Sequence, residues 1–241
     1  MDFWQPFLKN IKQNIKLIFV SNYFAEEVME DTAIDIPNES YQIIHNPINT
    51  STFNYVKKNA NQRFKILSIR PFASNKYAND LTVKAIVHLS KNAIFPDLQF
   101  LIVGDGKLFD ETLEPLKKFS NVVIQRGFLS HSEIASLHKE YGIFITPTRM
   151  DSQGVSRDEA MSSGMVPITT NVTAIPEFVN DDCGMLVDGE DWRGISNAIE
   201  DLVENPQKFL KLSAAAAERV RSQTSSNIVI QQEIDLITGG I

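Results

Sequence analysis

From Phe64 to Glu204, short apolar runs alternate with stretches of helical spacing, and this alternation limits the fold more than any other feature. The runs are mostly apolar, as in strands that lie between two layers of helices. The connections are short, so the pattern predicts βαβ units in a parallel sheet with helices on both sides. The predicted strands are residues 65–69, 98–103, 122–124, 143–145, 166–169 and 185–187. The predicted helices are residues 79–91, 108–119, 131–140, 156–163 and 191–204.

The six predicted strands place one doubly wound, Rossmann-like α/β domain at residues 62–222. Residues 1–61 contain two helical patterns, apolar runs at 17–20 and 41–45, and a polar stretch at 47–61 that has the composition of a linker. Residues 223–241 predict a C-terminal helix that docks on the domain through isoleucines at helical spacing, namely Ile230, Ile234 and Ile237.

The first helical pattern carries an apolar stripe with lysines between its members. The stripe consists of Trp4, Leu8, Ile11 and Ile15. Such a helix could touch a membrane surface peripherally, because basic residues flank its apolar side. Packing of the stripe against a protein core is the interpretation we favour.

The composition excludes several classes of protein. The net charge of −7 argues against nucleic-acid binding, since attraction to phosphates needs a basic surface. A single cysteine, Cys183, excludes an internal disulfide framework and a thiolate zinc site, and it suits a reducing compartment. No uninterrupted apolar run approaches the ~20 residues of a membrane span. We therefore expect a cytoplasmic enzyme of the α/β class, with Cys183 as a buried thiol.

Unusual residues follow the predicted strands at their carboxyl ends, where open parallel sheets bind ligands. Two cations follow the first strand, two glycines follow the second, and a pair of carboxylates follows the fourth. The candidate site residues are Arg70, Lys76, Gly104, Gly106, Phe128, Leu129, Pro147, Asp151, Gln153, Gly154, Val155, Ser156 and Glu159. Loops that converge on one edge with these side chains predict a pocket for a phosphorylated, polyhydroxylated ligand.

The residue types fit that ligand individually. Arg70 offers a planar fork for phosphate oxygens, and Lys76 adds a point charge. Ser156 is predicted to cap a helix whose free N–H groups would attract an anion. Asp151 precedes this helix and Glu159 lies on its first turns, so the two carboxylates can accept hydrogen bonds from two sets of hydroxyls.

The stretch of residues 64–222 resembles the donor-binding, C-terminal domain of glycosyltransferase family four (group one), which has the GT-B fold. The resemblance depends on three motifs. These are the acidic pair eight positions apart with the Ala160-Met161 and Gly164 that follow it, the Ile-Val-Gly-Asp-Gly turn at 102–106, and the Ala-Ile-Pro-Glu stretch at 174–177. Two departures are Asp151, where the family more often has Glu, and an Arg70-to-Lys76 spacing about one residue longer than the commonest version.

The resemblance implies a role for each of these residues. Arg70 and Lys76 would contact the donor diphosphate, with backbone near Phe128 and Leu129 on the nucleobase and Glu159 on the ribose hydroxyls. Asp151 and the loop at residues 153–155 would face the transferred sugar and the phosphate next to it.

The resemblance also implies an activity. The expected reaction is metal-independent, retaining transfer of a hexosyl group from a nucleotide-diphospho-sugar to a saccharide or lipid-linked acceptor, in bacterial surface polysaccharide synthesis. No cofactor and no metal are expected, because the sequence has no D-x-D triplet. Residues 1–61 would be the end of an N-terminal acceptor domain plus linker, whose remainder belongs to a missing segment or a partner chain. The alternative is a non-catalytic nucleotide-sugar-binding module or partner subunit, and a related epimerase or phosphorylase ranks third.

Other interpretations of single residues stay open at this point. Arg70 and Lys76 could be surface cations, Asp151 a solvated acid, and Glu159 a complement to the helix dipole. The Gly104–Gly106 turn alone is a tight turn as often as a phosphate site. The remaining polar candidates are histidines. His131 and His138 are predicted to be two surface histidines without a third metal ligand, and His45 to be structural, with contact to an acceptor as the minority option.

Overall fold

The computed structural model describes residues 4–9 and 15–239, and it divides them into a small N-terminal segment and a large sheet. The segment contains α1 (Trp4–Lys9), β1 (Leu17–Phe19), α2 (Asn22–Thr32) and β2 (Tyr41–Ile43). Strands β1 and β2 pair in parallel. Ser21 caps the start of α2, since its hydroxyl accepts a hydrogen bond from the amide of Phe24 at 3.2 Å.

Six parallel strands form the central sheet. They are β3 (Lys65–Ile69), β4 (Gln99–Gly104), β5 (Val122–Arg126), β6 (Ile143–Ile145), β7 (Val166–Thr170) and β8 (Met185–Val187). The order across the sheet is β5-β4-β3-β6-β7-β8. All six predicted strands are confirmed, and β3, β6 and β8 have the predicted bounds. The order reverses between β3 and β6, which leaves a crevice at their carboxyl ends.

The helices cover both faces of the sheet, which confirms the doubly wound α/β fold. They are α3 (Asn79–Leu89), α4 (Phe109–Leu113), α5 (His131–Glu140), α6 (Val155–Ser162), α7 (Ile175–Phe178), α8 (Trp192–Glu204), α9 (Pro206–Gln223) and α10 (Ser226–Thr238). The helix predicted at residues 108–119 is shorter, because Pro115 lies in a 3₁₀ turn that follows α4. Sequence analysis missed α7 and the 18-residue α9.

Alternate residues of the central strands β3 and β4 enter different cores. Ile66 of β3 and Ile102 of β4 pack with α3 and α8, whereas Leu67 and Leu101 pack on the opposite face with Ala160 of α6. This alternation is the period of two that a strand imposes on its side chains. Burial on both faces explains why these two central strands are mostly apolar in sequence.

The N-terminal segment packs on the large sheet through α2 and the stretch that follows β2. The carboxylate of Glu177 accepts hydrogen bonds from the amides of Asn22 and Tyr23, at 2.9 and 2.7 Å. In the stretch predicted as a linker, Ile48 and Phe53 are buried, and Ile48 forms a parallel bridge with Ser225. This polar stretch is therefore packed against the body of the protein.

The prediction for the C-terminal helix needs correction, and core packing of the N-terminal stripe is supported at Leu8 but not at Ile15. Helix α10 exists, but it docks through the buried Val229, and its predicted contacts are exposed: Ile230 at 46%, Ile234 at 45% and Ile237 at 83%. Of the N-terminal stripe, Leu8 is buried and Ile15 is 38% exposed. Ile11 lies outside the described residues, and only the backbone of Trp4 is described. Within residues 4–9 and 15–239, no helix combines the length and apolar character needed to cross a bilayer.

The central position of β3 predicts a large effect of truncating its core side chain. Leu67 is fully buried, so we expect Leu67→Ala to lower the free energy of unfolding by about 2–5 kcal/mol, through lost burial and a residual cavity. Urea unfolding measures this change. The control, Ile237→Ala, removes a side chain that is 83% exposed and should change stability by less than about 0.5 kcal/mol. Equal effects would contradict the assignment of Leu67 to the core.

Candidate functional site

A cavity of about 350 Å³ opens at the carboxyl end of the sheet, between the loops that follow β3 and β6. Eight of its lining residues are candidates from the sequence: Arg70, Gly104, Phe128, Leu129, Asp151, Gly154, Val155 and Ser156. Sequence reasoning missed the other five: Ile69, Pro71, Tyr77, Gly127 and Ile134. Ile69 and Pro71 flank Arg70 in the sequence, and Tyr77 follows Lys76. Their position next to a candidate residue is the sequence signal that could have identified them.

Arg70 is the cation that the fold places deepest in this site. Its side chain is buried, and Nη2 donates to the carbonyl of Pro147 at 3.3 Å. Within the described part of the chain, Nε has no hydrogen-bond acceptor. Burial lowers the pKa of Arg70, and the nearby charge of Asp151 opposes that change. A buried guanidinium with an unused donor is suited to bind an anion.

Lys76 lies at the edge of an adjoining cavity of about 280 Å³, which Tyr77 and Asp151 also line. The exposed ammonium of Lys76 is 5.0 Å from the centre of the Tyr77 ring, and the guanidinium of Arg70 is 5.1 Å from the same ring. The two cations therefore share one aromatic surface. Asp151 belongs to both cavities, so the fold brings together the two cations and the first predicted carboxylate.

The backbone of Asp151 is held in place by Thr173, which lies in the loop after β7. The amide of Asp151 donates to Thr173 Oγ1 at 3.1 Å, and that hydroxyl donates to the carbonyl of Asp151 at 2.9 Å. Thr173 has a φ of +48°, which is unusual for a β-branched residue. This strained residue and its paired hydrogen bonds fix the loop from which the carboxylate of Asp151 extends.

The loops after β3 and β4 are in direct contact at Gly104. A Cβ at this position would lie 2.0 Å from the carbonyl oxygen of Arg70, so a larger residue would displace the loop that carries the cations. Gly106 lies outside the cavity lining and packs on the backbone of Phe72 and Ala73. The turn therefore shapes the site through close backbone approach.

Gly154, with a φ of +95°, begins α6, and the expectation that Ser156 caps this helix is wrong. Ser156 lies inside the first turn of α6, and the residue at the cap position, Gly154, has no side chain that could accept a hydrogen bond. The first amides of α6 thus have no intrahelical acceptor, and the helix end faces the cavity through Val155 and Ser156. A Cβ on Gly154 would lie 2.7 Å from Nη1 of Arg157, so the turn also needs glycine for space.

A buried ion pair lies within the first turns of α6, and no role for it is predicted from the sequence. Arg157 and Asp158 are each 1% exposed, and Nη2 of Arg157 donates to Asp158 Oδ1 at 2.6 Å. Burial raises the pKa of Asp158, although the ion pair opposes the change. Gln153 donates to Asp158 and also exchanges two hydrogen bonds with the backbone of Asn46, at 2.7 and 3.1 Å. The predicted site residue Gln153 thus connects the N-terminal segment to α6.

Glu159 lies one helical turn beyond Val155 and is half-buried, outside the lining of the cavity. Burial raises its pKa to about 6, and the nearby His131 lowers it in part. Its carboxylate therefore changes charge near neutral pH. The predicted positions of the two carboxylates relative to α6 are confirmed, since Asp151 precedes this helix and Glu159 lies on it.

The histidine predictions need one correction. His131 is exposed, but His138 is 1% exposed, and both rings pack against Phe53 at 5.9 and 5.6 Å. Burial, with the charge of Lys58 as a second cause, lowers the pKa of His138 to about 3. His45 bonds through Nδ1 to the carbonyl of Val20 at 2.7 Å. Cys183 is buried, as predicted. Among residues 4–9 and 15–239, no three His, Cys, Asp or Glu side chains cluster as a metal site would require.

Several curated proteins with similar sequences are glycosyltransferases. One is the lipopolysaccharide core biosynthesis mannosyltransferase LpsB of Rhizobium meliloti, 26% identical over 106 residues, which are 43% of this chain and 29% of that protein. Another is the N-acetyl-alpha-D-glucosaminyl L-malate synthase of Bacillus anthracis, 25% identical over 210 residues, which are 81% of this chain and 53% of that protein. The chain thus spans about half the length of these relatives or less.

Solved structures with the same fold include glycosyltransferases. A glycosyltransferase from Rickettsia africae ESF-5 matches 98% of this chain and 66% of its own, with a TM-score of 0.82 and 18% identity. Anabaena Alr3699/HepE in complex with UDP and glucose matches 92% of this chain and 62% of its own, with a TM-score of 0.75 and 14% identity.

The profile of the family described as Glycosyl transferases group 1 matches residues 51–221, which contain every candidate site residue. This match covers more than half of the chain, and it shows that the chain belongs to the group 1 glycosyltransferase family.

Proposed function

We propose that this chain is the donor-binding part of a retaining, metal-independent glycosyltransferase. It would transfer a hexosyl group from a nucleotide-diphospho-sugar to a saccharide or lipid-linked acceptor. The observation that carries the proposal is the placement of Arg70 and Asp151 in one cavity beside the first amides of α6. A cation with an unused donor, a helix N-terminus and a carboxylate suit a ligand that combines phosphate with hydroxyls.

The proposed roles divide the donor into three parts. The diphosphate meets Arg70, Lys76 and the first amides of α6, where each charge-assisted hydrogen bond contributes ~1.5–3 kcal/mol. The nucleobase lies along the backbone near Phe128 and Leu129, and the ribose hydroxyls bond to the carboxylate of Glu159. The transferred sugar faces Asp151.

In the proposed reaction, the bond between the anomeric carbon and the donor phosphate breaks, and the acceptor oxygen bonds to that carbon from the same face. The acceptor proton goes to the leaving phosphate. Negative charge that develops on this phosphate is stabilised by Arg70, Lys76 and the end of α6, an electrostatic effect of the oxyanion-hole type. No side chain of this chain is assigned as a nucleophile.

The names of the relatives support the substrate class. LpsB is a mannosyltransferase of lipopolysaccharide core biosynthesis, and the Anabaena structure contains UDP and glucose. From these names we extend the proposal to a role in bacterial surface polysaccharide synthesis, at a cytoplasmic location. Acceptor contacts would come from an N-terminal domain or a partner chain, and any membrane contact would be peripheral. Because the chain spans about half of its relatives or less, the second candidate is a nucleotide-sugar-binding subunit that needs another half for catalysis.

The direct test is calorimetric titration of the chain with UDP, GDP, ADP and their sugar conjugates, with and without magnesium. We expect saturable binding of one base that magnesium does not alter. A folded chain that binds none of them would contradict the proposed donor site. Transfer assays with and without a candidate N-terminal partner then separate an enzyme from a binding subunit.

Removal of the buried cation should weaken diphosphate binding. We expect Arg70→Ala to raise the dissociation constant of the bound nucleoside diphosphate at least about tenfold, or ~1.4 kcal/mol. The matched control is Arg63→Ala, because Arg63 donates to the carbonyls of Ala60 and Val203 and does not line the cavity. Unchanged affinity in folded Arg70→Ala would contradict the role of Arg70.

The raised pKa of Glu159 predicts a pH dependence of donor binding. The group loses its charge as pH falls through about 6, so at pH 5 about one molecule in ten keeps the carboxylate that accepts from ribose hydroxyls. We expect affinity for a nucleotide-sugar, whose diphosphate does not titrate in this range, to fall up to about tenfold between pH 7.5 and 5.

The control for this dependence is Glu159→Gln, which should bind more weakly at pH 7.5 and show a flat profile. If the variant keeps the decline below pH 6, another group is responsible and Glu159 does not bind the ribose.

A further inference from the structure

Arg149, in the loop after β6, joins segments that follow three different strands. Its Nε and Nη2 donate to the carboxylate of Glu190 at 2.5 and 2.8 Å. Nη1 and Nη2 donate to the carboxylate of Asp80 at 2.9 and 3.1 Å. Nη1 also donates to the carbonyl of Asn75 at 2.6 Å. These five hydrogen bonds use all five N–H donors of a guanidinium.

The same residue holds the turn that carries Lys76. The amide of Arg149 donates to the carbonyl of Lys76 at 2.8 Å, and Thr148 Oγ1 donates to that carbonyl at 3.1 Å. The guanidinium of Arg149 also bonds to the carbonyl of Asn75. Two consecutive carbonyls of the turn, those of Asn75 and Lys76, thus accept hydrogen bonds from residues 148 and 149. The loop after β6 therefore determines where the backbone at Lys76 lies.

The network includes a strained residue, which indicates that its geometry is specific. Glu190 follows β8 with a φ of +63°, a conformation that is uncommon for residues other than glycine, asparagine and aspartate. The hydrogen bonds from Arg149 lower the pKa of Glu190 and keep its carboxylate charged. The two carboxylates that flank the guanidinium also offset its charge, so Arg149 is poorly suited to bind a phosphate itself.

We propose that Arg149 is a positioning residue for the donor diphosphate: it fixes the turn at residues 75–77 so that the ammonium of Lys76 faces the cavity that Asp151 shares. This inference rests on the proposed function, because it takes Lys76 to meet the phosphate. A lysine at position 149 has three donors on one nitrogen and cannot hold two carboxylates and a carbonyl in the plane of a fork.

The first test needs no ligand. Hydrogen–deuterium exchange of the free protein would compare the amides of residues 75–78 in the wild type, Arg149→Met and Arg149→Lys. We expect exchange in this turn to rise at least about tenfold in both variants, since the local opening free energy depends on bonds that they remove. The matched control, Arg63→Met, loses an arginine that also bonds to two carbonyls, and it should leave exchange of the turn unchanged.

The second test asks whether Arg149 acts through Lys76. With UDP as the probe, or GDP or ADP where the titration selects it, Arg149→Met and Lys76→Met should each weaken binding by about fivefold to tenfold. The double variant should bind no more weakly than Lys76→Met, because residues that act as one unit are not additive. Arg63→Met should keep the wild-type affinity.

Unchanged exchange at residues 75–78 in folded variants would overturn the proposal, as would additive effects in the double variant. If Arg149→Met does not fold, Glu190→Gln and Asp80→Asn serve instead, because each weakens the same network. Faster exchange at residues 75–78 in these variants supports the proposal, and unchanged exchange overturns it. If the wild type binds no nucleoside diphosphate, the proposed function fails. Exchange of the turn then decides alone whether Arg149 positions it.

Discussion

The hydrogen-bonded pairing of β3 with β6 is the constraint on which the site depends. These neighbours are parallel, but the chain leaves β3 toward one edge of the sheet and leaves β6 toward the other. Their loops therefore diverge, and the space between them becomes the cavity. The pairing itself is stabilised by burial on both faces, with Ile66 and Leu67 in different cores. The two cations follow β3 and the carboxylates follow β6, so one pair of strands brings both sets together.

Buried charge distinguishes this site from the apolar layers around it. Arg70 keeps an unused donor, and Arg157 pairs with Asp158 within the first turns of α6. Burial of charged groups costs stability unless they are fully hydrogen-bonded, so such groups are retained where they serve binding or fix a conformation. Gln153 donates to the Asp158 carboxylate of this ion pair and also bonds to the backbone of Asn46. The orientation of α6 toward the cavity is thereby coupled to the N-terminal segment.

The sequence predicted the sheet well because its central strands are buried on both faces and are mostly apolar in sequence. It predicted less well where the environment overrides local pattern. Ser156 has the chemistry of a helix cap, yet the close packing of Arg157 under Gly154 begins the helix two residues earlier. His138 is polar, yet Phe53 and the segment around Lys58 cover it. Helix α10 shows three isoleucines at helical spacing, yet its buried contact is Val229.

The sequence by itself determined the fold class, the strands and the residues at their carboxyl ends. The spacing of apolar residues and the direction of the chain along each strand are local properties that the sequence shows directly. It also placed Asp151 before the helix and Glu159 on it, because their spacing follows from helix geometry. Only the tertiary structure decided which candidates share the cavity, how deeply Arg70 is buried and why the pKa of Glu159 is raised. It alone revealed that Arg149 joins Asn75, Asp80 and Glu190. These properties depend on contacts between residues far apart in the chain, and no local pattern encodes such distances.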